Sequence, residues 1–62
     1  MYRIETSFRG QIYYWYGNFV KWKLSQNKAV IYDNMRRAEL ELERIKERQD
    51  WSGYNAQIVK VV

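Results

Sequence analysis

The chain predicts an α+β fold: a three- to four-stranded, mainly antiparallel sheet in the order β-β-β-α-β, with one helix packed on one face. Three observations carry this expectation. Residues 2–9 and 20–24 alternate apolar and polar side chains with period two, and the first 24 residues are broken at turn spacing by Gly10 and Gly17. One later run has helical apolar spacing, and a short β-branched run closes the chain.

The first strand is read from Tyr2, Ile4, Thr6 and Phe8, which alternate with Arg3, Glu5, Ser7 and Arg9. Arg9-Gly10 offers a two-residue turn into a second strand, Gln11–Tyr16. Gly17-Asn18 has glycine first, as a type II′ hairpin turn prefers, and leads into a third strand, Phe19–Leu24. Ser25–Lys28 is a polar loop, and Ala29–Tyr32 is a short extended piece or a brief edge strand. Asp33 or Asn34 caps a helix that runs to about Arg48 or Gln49, with Met35, Ala38, Leu42 and Ile45 on one stripe. Asp50–Asn55 is a loop, and Ile58–Val62 is the closing strand, expected beside the first strand in a direction the pattern leaves open.

Register then decides which side chains face out. Two-residue turns at 9–10 and 17–18 pair Phe8 with Gln11, Thr6 with Tyr13 and Ile4 with Trp15, then Trp15 with Val20, Tyr13 with Trp22 and Gln11 with Leu24. A slip of one residue would turn a strand over, so agreement between the turns and the alternation is informative. The inner face is then Ile4, Thr6, Phe8, Tyr13, Trp15, Val20, Trp22 and Leu24. The outer face holds Arg3, Glu5, Ile12, Tyr14, Tyr16, Phe19, Lys21 and Lys23. One helix, about 10–12 Å across, shields only one side of such a sheet. Tyr14, Tyr16 and Phe19 are therefore expected to stand uncovered beside lysines.

Composition narrows the function. Sixty-two residues make one small domain, 1–62, near the lower size limit for folding without disulfides or metal. Cysteine and histidine are absent, which removes disulfides, the usual zinc sites, thiol nucleophiles and His-dependent catalysis. The three glycines are isolated and build no phosphate-cradling loop, so the expectation is a non-enzyme with no cofactor and no metal. The longest apolar-aromatic run, Ile12–Tyr16, is five residues against the roughly 20 that a membrane span needs. That predicts a soluble, cytoplasmic protein with no membrane partner. The net charge is +4, and residues 1–32 hold five basic residues against Glu5 alone, together with most of the aromatic rings. Such a field favours anionic partners.

Several residues have plain structural readings. Leu40, opposite the helix stripe, reads as an isolated surface leucine, and Trp51 and Tyr54 read as a lid on one end of the core. Arg36 and Arg37 sit against the helix dipole and either pair with Glu39 and Glu41 or join a basic patch. The carboxylates of 39–47 are interleaved with Arg44 and Lys46 and read as a solvated face.

From Trp15 onward, "KWKLSQNKAVIYDN", the helix with Ala38 and Leu42, and "AQIVKVV" follow one another. This pattern resembles small phage- and prophage-encoded proteins built from a hairpin or meander, a "WxxxLxxAxxY"-like approach to one helix and a closing "xIVxV" strand. Trp22, Leu24, Ala29 and Tyr32 match that approach with looser spacing. The resemblance carries over no functional residue. It implies a viral setting and a stoichiometric inhibitor of a host or anti-phage defence complex, CRISPR effectors among them, acting in the host cytoplasm. The partner-binding residues expected on the open face are Arg3, Ile12, Tyr14, Tyr16, Phe19, Lys21 and Lys23. Two alternatives use the same face: single-stranded DNA or RNA stacked on the rings, or a homodimer that buries them.

Overall fold

The computed structural model describes residues 1–47 and 55–61. Four strands, β1 (Tyr2–Phe8), β2 (Gln11–Trp15), β3 (Trp22–Lys23) and β4 (Gln57–Lys60), form one antiparallel sheet in the order β3-β2-β1-β4. The helix α1 (Met35–Lys46) packs against β1 and β4. The expected α+β plan is therefore present, and the closing strand runs antiparallel beside β1, with Ile4 opposite Ile58. Val61 extends that edge by donating its N–H to the Met1 carbonyl at 2.8 Å.

The first hairpin keeps its expected register, with Phe8 opposite Gln11 and Thr6 opposite Tyr13. Arg9 and Gly10 make the turn with φ of 52° and 79°. Positive φ at both central positions is what a type I′ turn needs to match strand twist.

The second hairpin differs. Its loop is four residues, Gly17–Val20, closed by Tyr16 N–H to the Lys21 carbonyl at 2.7 Å and Lys21 N–H to the Gly17 carbonyl at 2.8 Å. Trp15 consequently faces Trp22 instead of Val20, and Tyr14 faces Lys23. The register has slipped by two residues, which leaves every surviving strand residue on its expected face because side chains alternate with period two. What the slip achieves is an edge-on contact between the two indoles, centroids 5.0 Å apart and planes at 63°. Such a pair contributes about 0.5–1.5 kcal/mol beyond its buried area. Lys21 takes φ 68° to allow it, an uncommon conformation for a side chain with a Cβ.

The third strand is thereby shortened from the expected Phe19–Leu24 to two residues. Val20 and Leu24, expected in the core, are 47% and 54% exposed. The ladder between β1 and β2 also ends sooner than expected, at Glu5–Tyr14, so Ile4 and Trp15 are not paired. Instead Val30 donates to the Trp15 carbonyl at 3.0 Å, and Tyr32 exchanges two hydrogen bonds with Tyr2, at 2.9 and 2.7 Å. Residues 30–32 thus lie between the parting ends of β1 and β2, making a single bridge and no strand.

The helix begins where its cap dictates. Asn34 is extended, and its side-chain oxygen accepts the Arg37 N–H at 2.9 Å. Arg44 and Lys46 fall in the last turn, where cations suit the dipole. Glu47 closes the helix with its N–H on the Glu43 carbonyl at 3.1 Å, and the expected continuation to Arg48 or Gln49 lies outside the described residues. So do the expected lid residues Trp51 and Tyr54, and Val62 at the end of the closing run.

The core is Ile4, Trp15, Ile45 and Ala56, with Trp22, Tyr32, Leu42 and Ile58 packed partly against it. Ala38 is fully buried, and its small side chain lets the helix approach the sheet closely. Met35, the first residue of the helix, departs from the expected stripe at 42% exposed.

A polar link ties sheet to helix at this point. The Trp15 indole N–H donates to Glu41 Oε2 at 2.9 Å. Burial, and after it the Glu41 carboxylate, push the Tyr32 phenol from 10.0 up to about 12, against a smaller opposing effect of the Trp15 N–H. A phenol held protonated in the folded state adds stability that is complete below pH 10.0 and is lost as pH rises through about 12. Alkaline denaturation of wild type and Tyr32→Phe, followed by circular dichroism, checks this. The wild-type advantage should shrink across that interval, and parallel curves would remove Tyr32 from the alkaline transition.

Candidate functional site: the uncovered sheet face

Strand alternation places Arg3 and Glu5 of β1, Ile12 and Tyr14 of β2 and Lys23 of β3 on the side of the sheet away from the helix. The ladders align Gln57, Glu5, Tyr14 and Lys23 as one row across all four strands. Arg3 stands one step along β1 on the same side, opposite Val59.

Charged side chains organise this face. Arg3 Nε donates to Glu5 Oε2 at 2.7 Å, with both side chains mostly shielded at 19% and 13% exposed. The same guanidinium lies 4.8 Å above the Tyr14 ring centroid. Arg3 therefore holds Tyr14 from above while Glu5 holds Arg3 from the side, and each contact restricts the others' rotamers. An ion pair or cation–π contact on a partly shielded sheet face is worth on the order of 1 kcal/mol, so the effect of these contacts is chiefly to preorganise. Ile12 continues the face as an exposed apolar residue opposite Ser7.

Tyr16 lies one residue past the end of β2. Its ring is covered by Lys23 Nζ at 5.6 Å from the centroid. Its hydroxyl donates to the Ser25 carbonyl at 2.6 Å and accepts the Lys28 N–H at 3.1 Å. The phenol thus pins the 25–28 loop to the hairpin.

Phe19 and Lys21 are elsewhere. The longer loop carries them off the sheet, with Phe19 at the hairpin tip, 102% exposed, and Lys21 in the closing position. Of the seven residues expected on one platform, Arg3, Ile12, Tyr14 and Lys23 share the face, Tyr16 sits at its margin, and Phe19 and Lys21 form the tip. Sequence reasoning did not include Lys28, which lies more than ten residues from Tyr16 in the chain and joins it only through the loop's return.

Among the described residues there is no group of three or more potential metal ligands. Two shallow grooves of about 360 and 330 Å³ flank Leu40 on the helix, and their charged lining residues, such as Arg36 and Glu43 or Arg37 and Glu41, alternate in sign. Among the described residues no helix is long and apolar enough to cross a membrane.

Fold and face together define a class: an open-faced α+β protein whose sheet is covered by a helix on one side and presents aromatic and charged residues on the other. No family model, curated protein or solved structure matches the chain.

Proposed function

We infer that this is a small non-enzymatic binding protein of phage type, which stoichiometrically blocks a host or anti-phage defence protein complex, CRISPR-like effectors included, through its uncovered sheet face. The observation that supports this most directly is Tyr14 held beneath Arg3, itself paired with Glu5, on a face that no described element covers. Protein interfaces draw their binding energy from Tyr, Trp and Arg anchors that are rigid before contact. With Arg3 and Glu5 compensating each other, the face keeps Lys23 as its residual charge and has apolar neighbours in Ile12 and Val59. That chemistry suits a mildly acidic protein surface better than a run of phosphates.

The test is phage plating on a CRISPR-protected host that expresses the protein. Wild type is expected to restore plating, and Tyr14→Ala to lose it while melting at an unchanged temperature. The underlying complex should weaken about thirty-fold, the scale of a ~2 kcal/mol hot spot. Full restoration by Tyr14→Ala, or no restoration by wild type against any of several defence types, rejects the reading.

A further inference from the structure

The hairpin end is chemically distinct from the sheet face, and we propose that it is a single-stranded nucleic-acid contact, in which a base stacks on Phe19 and successive phosphates meet Lys21, Lys23 and Lys28. The site borders the sheet face through Lys23, but it does not rest on the sheet-face reading, because Arg3 and Tyr14 have no part in it.

Four observations converge on it. Phe19 exposes its whole ring at the loop tip, where it contributes nothing to the core. The loop that carries it is closed by two backbone hydrogen bonds of 2.7 and 2.8 Å and started by Gly17 at φ 99°. Three lysines branch from the backbone around Tyr16: the Lys21 carbonyl accepts its N–H at the hairpin closure, the Lys28 backbone N–H donates to its hydroxyl, and the Lys23 ammonium lies over its ring. Residues 6–32 contain no carboxylate at all, and among the described residues none of these lysines has an ion-pair partner. Exposed rings that any base can stack on, set among cations that track the backbone, are how proteins hold single strands without reading sequence. On the sheet face the Arg3–Glu5 pair compensates its own charge, so the lysines without ion-pair partners among the described residues lie toward the hairpin end.

The experiment is fluorescence anisotropy of a labelled oligothymidylate titrated with the whole chain over a salt series. Saturable binding is expected at low salt. For three single-strand phosphate contacts the slope of log K against log salt should be about −2. Phe19→Ala should weaken binding about ten-fold at every salt with the slope kept, the loss of one stacked base. Lys28→Ala should reduce the slope by about 0.7, and its structural contact survives because that contact uses the backbone N–H. Tyr14→Ala should bind as wild type does, so failure of the sheet-face reading and failure of this one are told apart. Inorganic polyphosphate should bind more weakly than the oligonucleotide and should be indifferent to Phe19→Ala. The proposal is overturned by no saturable binding at low salt, or by binding that Phe19→Ala leaves intact. It is also overturned if phosphatidylserine vesicles bind and the oligonucleotide does not, which would assign the tip to a membrane surface.

Discussion

Trp15→Ala is expected to abolish cooperative folding. Trp15 is the largest fully buried side chain among the described residues and clusters with Ile4, Ile45 and Ala56. Truncating a buried aromatic costs about 3–5 kcal/mol. At roughly 0.05–0.15 kcal/mol per residue, a chain of this length has a total stability of similar size. Two further losses accompany the cavity: Trp22 loses the edge of its ring partner, and Glu41 loses the indole donor at 2.9 Å. Thermal melts followed by near- and far-ultraviolet circular dichroism should show no sigmoidal transition. Trp15→Phe, which keeps a ring and removes the donor, should melt cooperatively at a lower temperature. A Trp15→Ala protein that melts within a few degrees of wild type would contradict the placement of this residue.

Ile45→Ala is the second large effect, expected to cost about 2–5 kcal/mol. Ile45 is 1% exposed and is the one large fully buried side chain that α1 contributes among the described residues. Met35→Ala is its informative counterpart. By helical spacing the two residues belong to one stripe, but Met35 is 42% exposed and its truncation should change stability by less than about 0.5 kcal/mol. Urea denaturation of the two variants separates the readings, and equal losses would mean that Met35 is buried as deeply as Ile45.

The contrast between Ile45 and Met35 shows where reading residues in order succeeds. Alternation in β1, the Arg9-Gly10 turn and the Asn34 cap are all interactions between near neighbours, and each was legible from local pattern. The face on which Tyr14 stands was legible for the same reason, since Glu5 and Tyr14 are tied by one short turn. Phe19 was misplaced because a period-two pattern cannot detect a slip of two residues: every strand residue keeps its side, and only the loop changes length. The choice between the two registers rested on Trp15 meeting Trp22, a packing preference that no single strand reveals. Lys28 escaped notice because Tyr16 reaches it through a loop whose return path depends on Val30 and Tyr32 entering between β1 and β2.

Local chemistry thus settled the element order, the hairpin between β1 and β2, the start of the helix and the inward or outward side of each strand residue, because turns, caps and alternation act over a few bonds. Tertiary packing decided the second hairpin's register, the wedge at residues 30–32, the Trp15–Glu41 tie and the separation of a charge-compensated sheet face from a cationic tip. Those outcomes depend on which distant side chains meet in the core, and contact of that kind is absent from any local pattern.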